Sequence, residues 1–69
     1  MKEEVQNRVH AMRTKMGITQ EDLAKAVGVS RQTIVAIEKG NYVPSVLLAM
    51  KIGRFFQHAV EDIFYIKRS

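Results

Sequence analysis

The chain has 69 residues, of which 46% are hydrophobic, and its 11 Lys and Arg against seven Asp and Glu give a formal charge of +4. This length indicates one domain, residues 1–69, with enough apolar side chains for a small core. The absence of cysteine excludes disulfides and thiolate metal sites. The longest apolar run is far too short to span a membrane, and the polar start MKEEVQNR is not expected to be a signal peptide.

The net positive charge suits a polyanionic partner, although a merely soluble basic protein would carry the same charge. The placement of the charges is more informative. Arg31 and Lys39 stand at the two ends of one predicted helix. Acidic pairs lie instead at or near expected helix starts, where they favour the helix dipole: Glu3/Glu4, Glu21/Asp22 and Glu61/Asp62.

A first helix is predicted from about Glu4 to Met16, because apolar residues recur at steps of four, three and four. Gly17 is expected to end this helix as the residue after its C-cap. The apolar stripe consists of Val5, Val9, Met12 and Met16.

A second helix is predicted over about Gln20 to Val27. Thr19 precedes it and can cap it, since its hydroxyl can accept an orphan backbone N–H. Asp22 has the spacing of a capping box. Gly28 follows, and it can adopt the positive φ needed to leave a helix abruptly.

A third helix is predicted over about Arg31 to Lys39, with Ser30 as its cap. Ile34 and Ile37 point inward, which leaves Arg31, Gln32, Thr33, Val35 and Ala36 on the outer face. Arginine and glutamine are the side chains that best match guanine and adenine edges in the major groove. Two short helices at a sharp glycine turn are typical of a helix-turn-helix that presents its second helix to DNA.

A fourth helix, capped by Ser45, is predicted over about Val46 to Gln57 after a loop that contains Pro44. It is apolar around so much of its surface that we expect a second subunit to contact Leu47, Met50 or Phe55, although scattered exposed apolar residues would also explain it. A fifth helix is predicted over about Val60 to Tyr65. The tail, residues 66–69, is expected to be a frayed end.

The stretch ITQEDLAKAVGVSRQTIVAIEKG, followed by Tyr42, Pro44 and Ser45, resembles the Cro and phage-repressor type of helix-turn-helix domain, the XRE family. The resemblance covers about Val5 to Tyr65, with the helix-turn-helix unit at residues 19–39. It implies an all-α fold, a compact five-helix lambda-repressor-like domain that binds duplex DNA, usually as a two-fold dimer. The chain departs from the family pattern at residues 57–59, Gln-His-Ala, so the resemblance does not define the junction of the fourth and fifth helices.

The resemblance also implies roles for individual residues. An ion pair is expected between Arg13 and Glu38, joining the first and third helices. Two sets of residues are expected to contact DNA, the first through base edges and the second through the backbone: Arg31, Gln32, Thr33 and Ala36; Gln20, Ser30, Lys39, Asn41 and Tyr42. Arg31 could instead contact phosphate or remain solvated, Thr33 could contact nothing, and Gln20 could be an ordinary first-turn residue.

We therefore predict a sequence-specific duplex-DNA-binding transcriptional regulator, a homodimer on a palindromic operator, in the cytoplasm and at the nucleoid when bound. The alternative is an antitoxin-like or other protein-interaction module that uses the apolar face of the fourth helix. An enzyme is disfavoured because no catalytic grouping occurs, and no cofactor or metal is expected. RNA binding is disfavoured because no exposed aromatic platform is evident. His10 is expected to face solvent opposite the apolar stripe, and His58 to be a partly buried packing residue.

Overall fold

A computed structural model describes residues 2–68 of the chain. Within these residues five helices lie between two strands that pair with each other. The elements in chain order are β1 (Glu3–Asn7), α1 (Val9–Lys15), α2 (Gln20–Val27), α3 (Arg31–Glu38), α4 (Val46–Phe56), α5 (Val60–Ile63) and β2 (Phe64–Arg68).

The second helix begins and ends where its local sequence predicts. Thr19 Oγ1 accepts a hydrogen bond from Asp22 N at 3.0 Å, and Asp22 Oδ2 accepts one from Thr19 N at 2.9 Å. This reciprocal capping box satisfies two backbone donors at the start of α2. At the other end Gly28 has a φ of 78°, which turns the chain sharply toward α3.

Serine caps begin the next two long helices. Ser30 Oγ accepts from Thr33 N at 3.2 Å, and Ser45 Oγ accepts from Leu48 N at 3.1 Å. Each of the two helices ends one residue before the predicted position, α3 at Glu38 and α4 at Phe56. Such one-residue differences at helix ends change nothing in the fold.

The core lies where the helices meet. Six apolar side chains are almost completely removed from solvent, and they come from every helix: Val9, Leu23, Ile34, Ile37, Ile52 and Ile63. Burial of a side chain of this size contributes about 1.5–3 kcal/mol relative to exposure. This core fixes α2 and α3 against each other and so determines how α3 is presented to the outside.

The prediction of a five-helix fold is confirmed, but the all-α description fails at both ends of the described chain. The predicted first helix should have begun at about Glu4, but residues 3–7 form β1. The predicted fifth helix should have reached Tyr65, but α5 ends at Ile63. The tail expected to be frayed is β2 as far as Arg68, and Ser69 lies outside the described residues. The fold is therefore five helices with an added two-stranded antiparallel sheet.

The strand pairing has a clear chemical basis. Val5 lies opposite Ile66 and Glu3 opposite Arg68 in the antiparallel register. Phe64, Tyr65 and Ile66 are aromatic or β-branched residues, which favour a pleated, half-buried surface. Arg68 Nε donates to Glu3 Oε2 at 3.0 Å, and opposite charges facing each other across strands add to the pairing.

The junction of α4 and α5 is held by close backbone contact. A Cβ at Gly53 would lie 2.9 Å from the backbone oxygen of His58, so only glycine fits there without a shift. Gln57 has a φ of 61°, a left-handed conformation that costs a non-glycine residue energy. Ala59 precedes α5 without a side-chain cap. His58 is exposed, so the prediction that it packs partly buried was wrong.

Candidate nucleic-acid interface

The outer face of α3 carries the predicted base-reading residues. Arg31 and Gln32 are exposed, and neither side chain has a hydrogen-bond partner among residues 2–68. Thr33 and Ala36 are half-buried beside them. The donors and acceptors of the first two side chains therefore remain available to an external ligand.

The start of α3 is less open than this face. Ser30 Oγ and Thr33 Oγ1 lie 3.0 Å apart and are hydrogen-bonded, while the same serine oxygen accepts from the Thr33 amide. These two hydroxyls thus serve the helix cap first. The Thr33 methyl group is not involved in these bonds.

A buried ion pair joins α1 to the last turn of α3. Arg13 Nε donates to Glu38 Oε2 at 2.6 Å and Arg13 Nη2 donates to Glu38 Oε1 at 3.2 Å, the two-pronged geometry in which arginine binds a carboxylate best. The two side chains are only 9% and 6% exposed. Arg13 Nη1 also donates to the backbone oxygen of Ile18 at 2.9 Å. These are the two residues that the family resemblance pairs.

Two further side chains converge on the same carboxylate. Gln20 Nε2, at the start of α2, lies 3.1 Å from Glu38 Oε1, and His10 Nδ1 lies 3.1 Å from the same oxygen. His10 is exposed, as expected, but sequence reasoning missed its contact with the ion pair. The available signal was its position three residues before Arg13, which places both on one face of α1. We call this group, His10, Arg13, Gln20 and Glu38, the Glu38 junction.

The charges in the Glu38 junction shift each other's ionisation. Burial acts to raise the pKa of the Glu38 carboxyl, but hydrogen bonds from Arg13, Gln20 and His10 outweigh it and hold that pKa below its ordinary value. The hydrogen bond to Glu38 raises the pKa of Arg13, although burial opposes it. Both groups are therefore ionised at neutral pH.

A surface cleft lies beside this junction at the start of α2. Its walls include Arg13, Thr19, Gln20, Lys25 and Arg31. The acidic Glu21 and Asp22 also line the cleft, and Arg13 is already paired with Glu38. The remaining cations, Lys25 and Arg31, are therefore balanced by these two carboxylates.

The residues that follow α3 form a second exposed region. Gly40 has a φ of 79°, and Asn41 N donates to Ala36 O at 2.9 Å, which closes the helix end. Lys39, Asn41 and Tyr42 are all exposed. Their side chains are thus accessible beyond the C-terminal end of α3, whereas Arg31 lies at its N-terminal end.

The three predicted dimer contacts differ in exposure. Leu47 and Met50 are 65% and 55% exposed. Phe55 is half-buried, packs on the core, and stacks edge-on against Phe56 with ring centres 5.2 Å apart. The exposed pair belongs to a larger set, here called the apolar patch: Val5, Val43, Val46, Leu47, Met50 and Ile66.

Comparison with known proteins agrees with this geometry. The model of the family described as helix-turn-helix matches residues 9–59, which is more than half of the chain. The chain belongs to the helix-turn-helix family. Its type is that of the Cro and phage-repressor (XRE) domains. The match spans all four members of the Glu38 junction and the whole of α3.

Relatives of this helix-turn-helix chain occur in bacteria and archaea. It is 49% identical over 63 residues to the uncharacterized HTH-type transcriptional regulator YgzD of Bacillus subtilis, with 91% of this chain and 96% of that protein covered. It is 57% identical over 60 residues to an uncharacterized HTH-type transcriptional regulator of Methanocaldococcus jannaschii, with 87% and 91% covered.

Solved structures have the same fold. The restriction-modification controller protein C.AhdI of Aeromonas hydrophila matches with a TM-score of 0.74 and 25% identity, covering 80% of this chain and 83% of that one. A putative DNA-binding protein of Bacteroides fragilis matches with a TM-score of 0.78, covering 87% of this chain and 97% of that one. Its sequence identity is 20%, so this match shows the fold alone.

Two further observations concern residues 2–68 alone. No helix in this range has the length and apolar character required to cross a membrane. Within the same range, no three His, Cys, Asp or Glu residues are grouped in a way that could hold a metal ion.

Proposed function

We propose that this chain is a transcriptional regulator that binds duplex DNA sequence-specifically, with α3 in the major groove. The observation that carries the proposal is the outer face of α3, where Arg31 and Gln32 project without internal partners from a helix held rigidly by its core side. Membership of the helix-turn-helix family and the names of the relatives support the same role. Such a regulator acts in the cytoplasm, at the nucleoid.

In this proposal Arg31 and Gln32 carry most of the sequence readout. Arginine pairs with guanine and glutamine with adenine through two parallel hydrogen bonds, each pair worth about 1–3 kcal/mol of discrimination. Thr33 and Ala36 offer mainly methyl groups, which suit contact with a thymine methyl.

The backbone contacts flank this face on two sides. Gln20 and Ser30 lie at helix starts, while Lys39, Asn41 and Tyr42 follow the end of α3. Because Gln20 Nε2 uses one hydrogen on Glu38, it retains one for a phosphate oxygen. Phosphate contacts of this kind fix register and orientation rather than sequence.

We also propose that the protein binds a palindromic operator as a homodimer through the apolar patch. The patch itself carries no charge in a chain of +4, and Glu61 is the charged residue that lines the same groove. In a two-fold dimer the same surface of both subunits forms the interface, so residues near the axis meet their own copies. Like charges there would repel each other, whereas an uncharged patch avoids this repulsion. The two copies of α3 would then lie about 34 Å apart, one turn of DNA.

The test of readout is selection of bound duplexes from a random DNA pool at near-physiological salt. We expect an enriched palindrome for the wild type and none for the double variant Arg31→Ala, Gln32→Ala, with both proteins equally folded. Lys39→Ala is the matched control: it should weaken binding to all duplexes and reduce the salt slope by about 0.9 without changing the enriched sequence. Unchanged sequence preference in the double variant would contradict the readout assignment.

The dimer is tested separately by analytical ultracentrifugation. Met50→Lys should convert a dimer to a monomer, because a charge would enter the apolar patch. Lys51→Glu, one residue along the same helix but outside the patch, is the control and should remain dimeric. A monomeric wild type that co-purifies with another protein would favour the protein-interaction alternative.

A further inference from the structure

We propose that His10 is an additional contact to the DNA backbone and that protonation of its imidazole strengthens this contact, with Glu38 as its positioning residue. The inference rests on the proposed DNA binding and deepens it by adding a residue and a condition.

His10 Nδ1 lies 3.1 Å from Glu38 Oε1 and 3.1 Å from Arg13 Nη2. The carboxylate can only accept a hydrogen bond and the guanidinium can only donate one. A nitrogen with a hydrogen therefore bonds to Glu38, and a nitrogen without one bonds to Arg13. The ring lies between two partners that require opposite protonation of the same atom.

Neutral imidazole cannot bind both Glu38 and a phosphate. With its hydrogen on Nδ1, the ring donates to Glu38, but Nε2 then presents a lone pair that repels a phosphate oxygen. With its hydrogen on Nε2, the ring loses Glu38; Nδ1 then accepts from Arg13 Nη2, and Nε2 offers a phosphate only an uncharged donor, which bonds more weakly than a charged one. The imidazolium alone donates from both nitrogens at once, and the side chain of His10 is 65% exposed, so an external anion can reach the ring.

The position of the ring fits this role. Glu38 Oε1 also accepts from Gln20 Nε2, so His10 on α1 and Gln20 on α2 are neighbours on one oxygen atom. Gln20 is a proposed phosphate contact. A strand of DNA that reaches Gln20 therefore passes close to His10.

The charge balance favours the protonated ring beside DNA. The charged groups in contact with the ring are Arg13 on its own helix and Glu38 on α3, and the neighbour on α2, Gln20, is uncharged. The charges of Arg13 and Glu38 cancel. Protonation of His10 gives the Glu38 junction a net charge of +1, and a nearby phosphate favours that charge. Arg13 keeps its bonds to Glu38 and Ile18 when it loses His10.

The chain offers its own control because it has only two histidines. His58 lies at the α4–α5 junction, where its Nδ1 is 4.0 Å from Asp62 Oδ2. Binding to a mixed-sequence duplex of about two helical turns is measured by fluorescence anisotropy at pH 6 and pH 8, over a range of salt. Such a duplex suffices because a backbone contact does not depend on sequence. The pH range is the one in which histidine ordinarily changes charge.

We expect the wild type and His58→Gln each to bind the duplex about fivefold more tightly at pH 6 than at pH 8, counted for each chain that binds. The slope of log affinity against log salt concentration should be steeper at pH 6 by about 0.9. His10→Gln should bind equally at both pH values, within about twofold, at the weaker level. Its amide can still donate to Glu38, and circular dichroism verifies its fold. His10→Lys, permanently charged, should bind equally at both pH values but at the tighter level.

Retention of the wild-type pH dependence by His10→Gln, or its loss in His58→Gln, would overturn the assignment of His10 while leaving DNA binding intact. Wild-type binding that does not change between the two pH values would overturn it as well. If the wild type binds no duplex at either pH, the proposed function fails, and this inference fails with it.

Discussion

Replacing Glu38 with glutamine should cost the protein a large part of its stability. The change removes a negative charge that is 6% exposed and leaves Arg13, 9% exposed, without its counterion. Breaking a buried ion pair in this way costs about 3–5 kcal/mol. A domain of this size has a total stability of roughly 3–10 kcal/mol, so the loss is a substantial fraction of the whole.

The measurement is urea unfolding followed by circular dichroism at neutral pH. Glu21→Gln is the matched control, because Glu21 and Lys25 form an exposed pair at 3.6 Å whose loss should cost about 0.5 kcal/mol or less. If Glu38→Gln is too unstable to fold, the paired replacement Arg13→Met with Glu38→Leu should fold and exceed it in stability, since apolar residues of similar volume can replace a buried ion pair. Equal stability losses in the two Glu→Gln variants would refute the reasoning.

The same pair predicts a dependence on pH. Because the pKa of Glu38 is lower in the folded protein than its ordinary value of 4.5, its ionised form stabilises the fold. This contribution is fully present above about pH 4.5 and is lost as the pH falls through the folded pKa. The difference in unfolding free energy between wild type and Glu38→Gln should therefore shrink in acid. A difference that stays constant down to pH 2 would contradict the assignment.

Three further substitutions test the turns and caps. Gly53→Ala should destabilise by about 1–3 kcal/mol in urea unfolding, because its new methyl group would press on the His58 backbone oxygen; a gain in stability, as alanine gives in an unhindered helix, would contradict this. Gln57→Gly should stabilise by up to about 1 kcal/mol and raise Tm by several degrees, since glycine adopts a φ of 61° without strain; a lower Tm would argue that its side chain packs usefully. Thr19→Ala should lower the free energy of unfolding by about 1 kcal/mol through loss of the α2 cap, and an unchanged midpoint would count against that cap.

The helices from α2 to α4 could be predicted closely because their signals are local. A cap and the amide that it binds are three residues apart at Thr19, Ser30 and Ser45. Gly28 ends α2 through its own φ, with no help from distant parts of the chain. Such features depend on neighbouring residues alone, so the sequence contains everything needed to place them.

The two strands could not be predicted in the same way, because each depends on a partner more than 55 residues away. Val5 is four residues before Val9, a spacing that also fits a helix, so the pattern predicts a helix there. The one local signal was the run Phe64-Tyr65-Ile66, whose residues all favour strands. Without knowledge of its partner strand, this run is as compatible with an extension of the fifth helix as with the start of a strand.

In the candidate site, too, some features depend on neighbouring residues alone and others depend on contacts between distant parts of the chain. The exposure of Arg31 and Gln32 follows from helical periodicity, because Ile34 and Ile37 fix the inward face. The convergence of His10 and Gln20 on one oxygen of Glu38 depends on how three helices pack, which periodicity within any one helix does not contain.

The strand pair also ties the end of α3 to the far parts of the chain. Asn7, the last residue of β1, donates from Nδ2 to the backbone oxygen of Ile37 at 3.0 Å, so the final turn of α3 receives a hydrogen bond from a residue 30 positions away. An isolated two-stranded ribbon is marginally stable, and amide hydrogens in such elements exchange by local opening at low free energy. Opening of β1 would remove this bond while the α2–α3 core stays closed. Ile37 in the core and the Arg13–Glu38 ion pair would still hold the last turn of α3. The amide hydrogens of the ribbon should therefore exchange well before those of α3, so the carbonyl end of this helix loses a distant partner without losing its own hydrogen bonds.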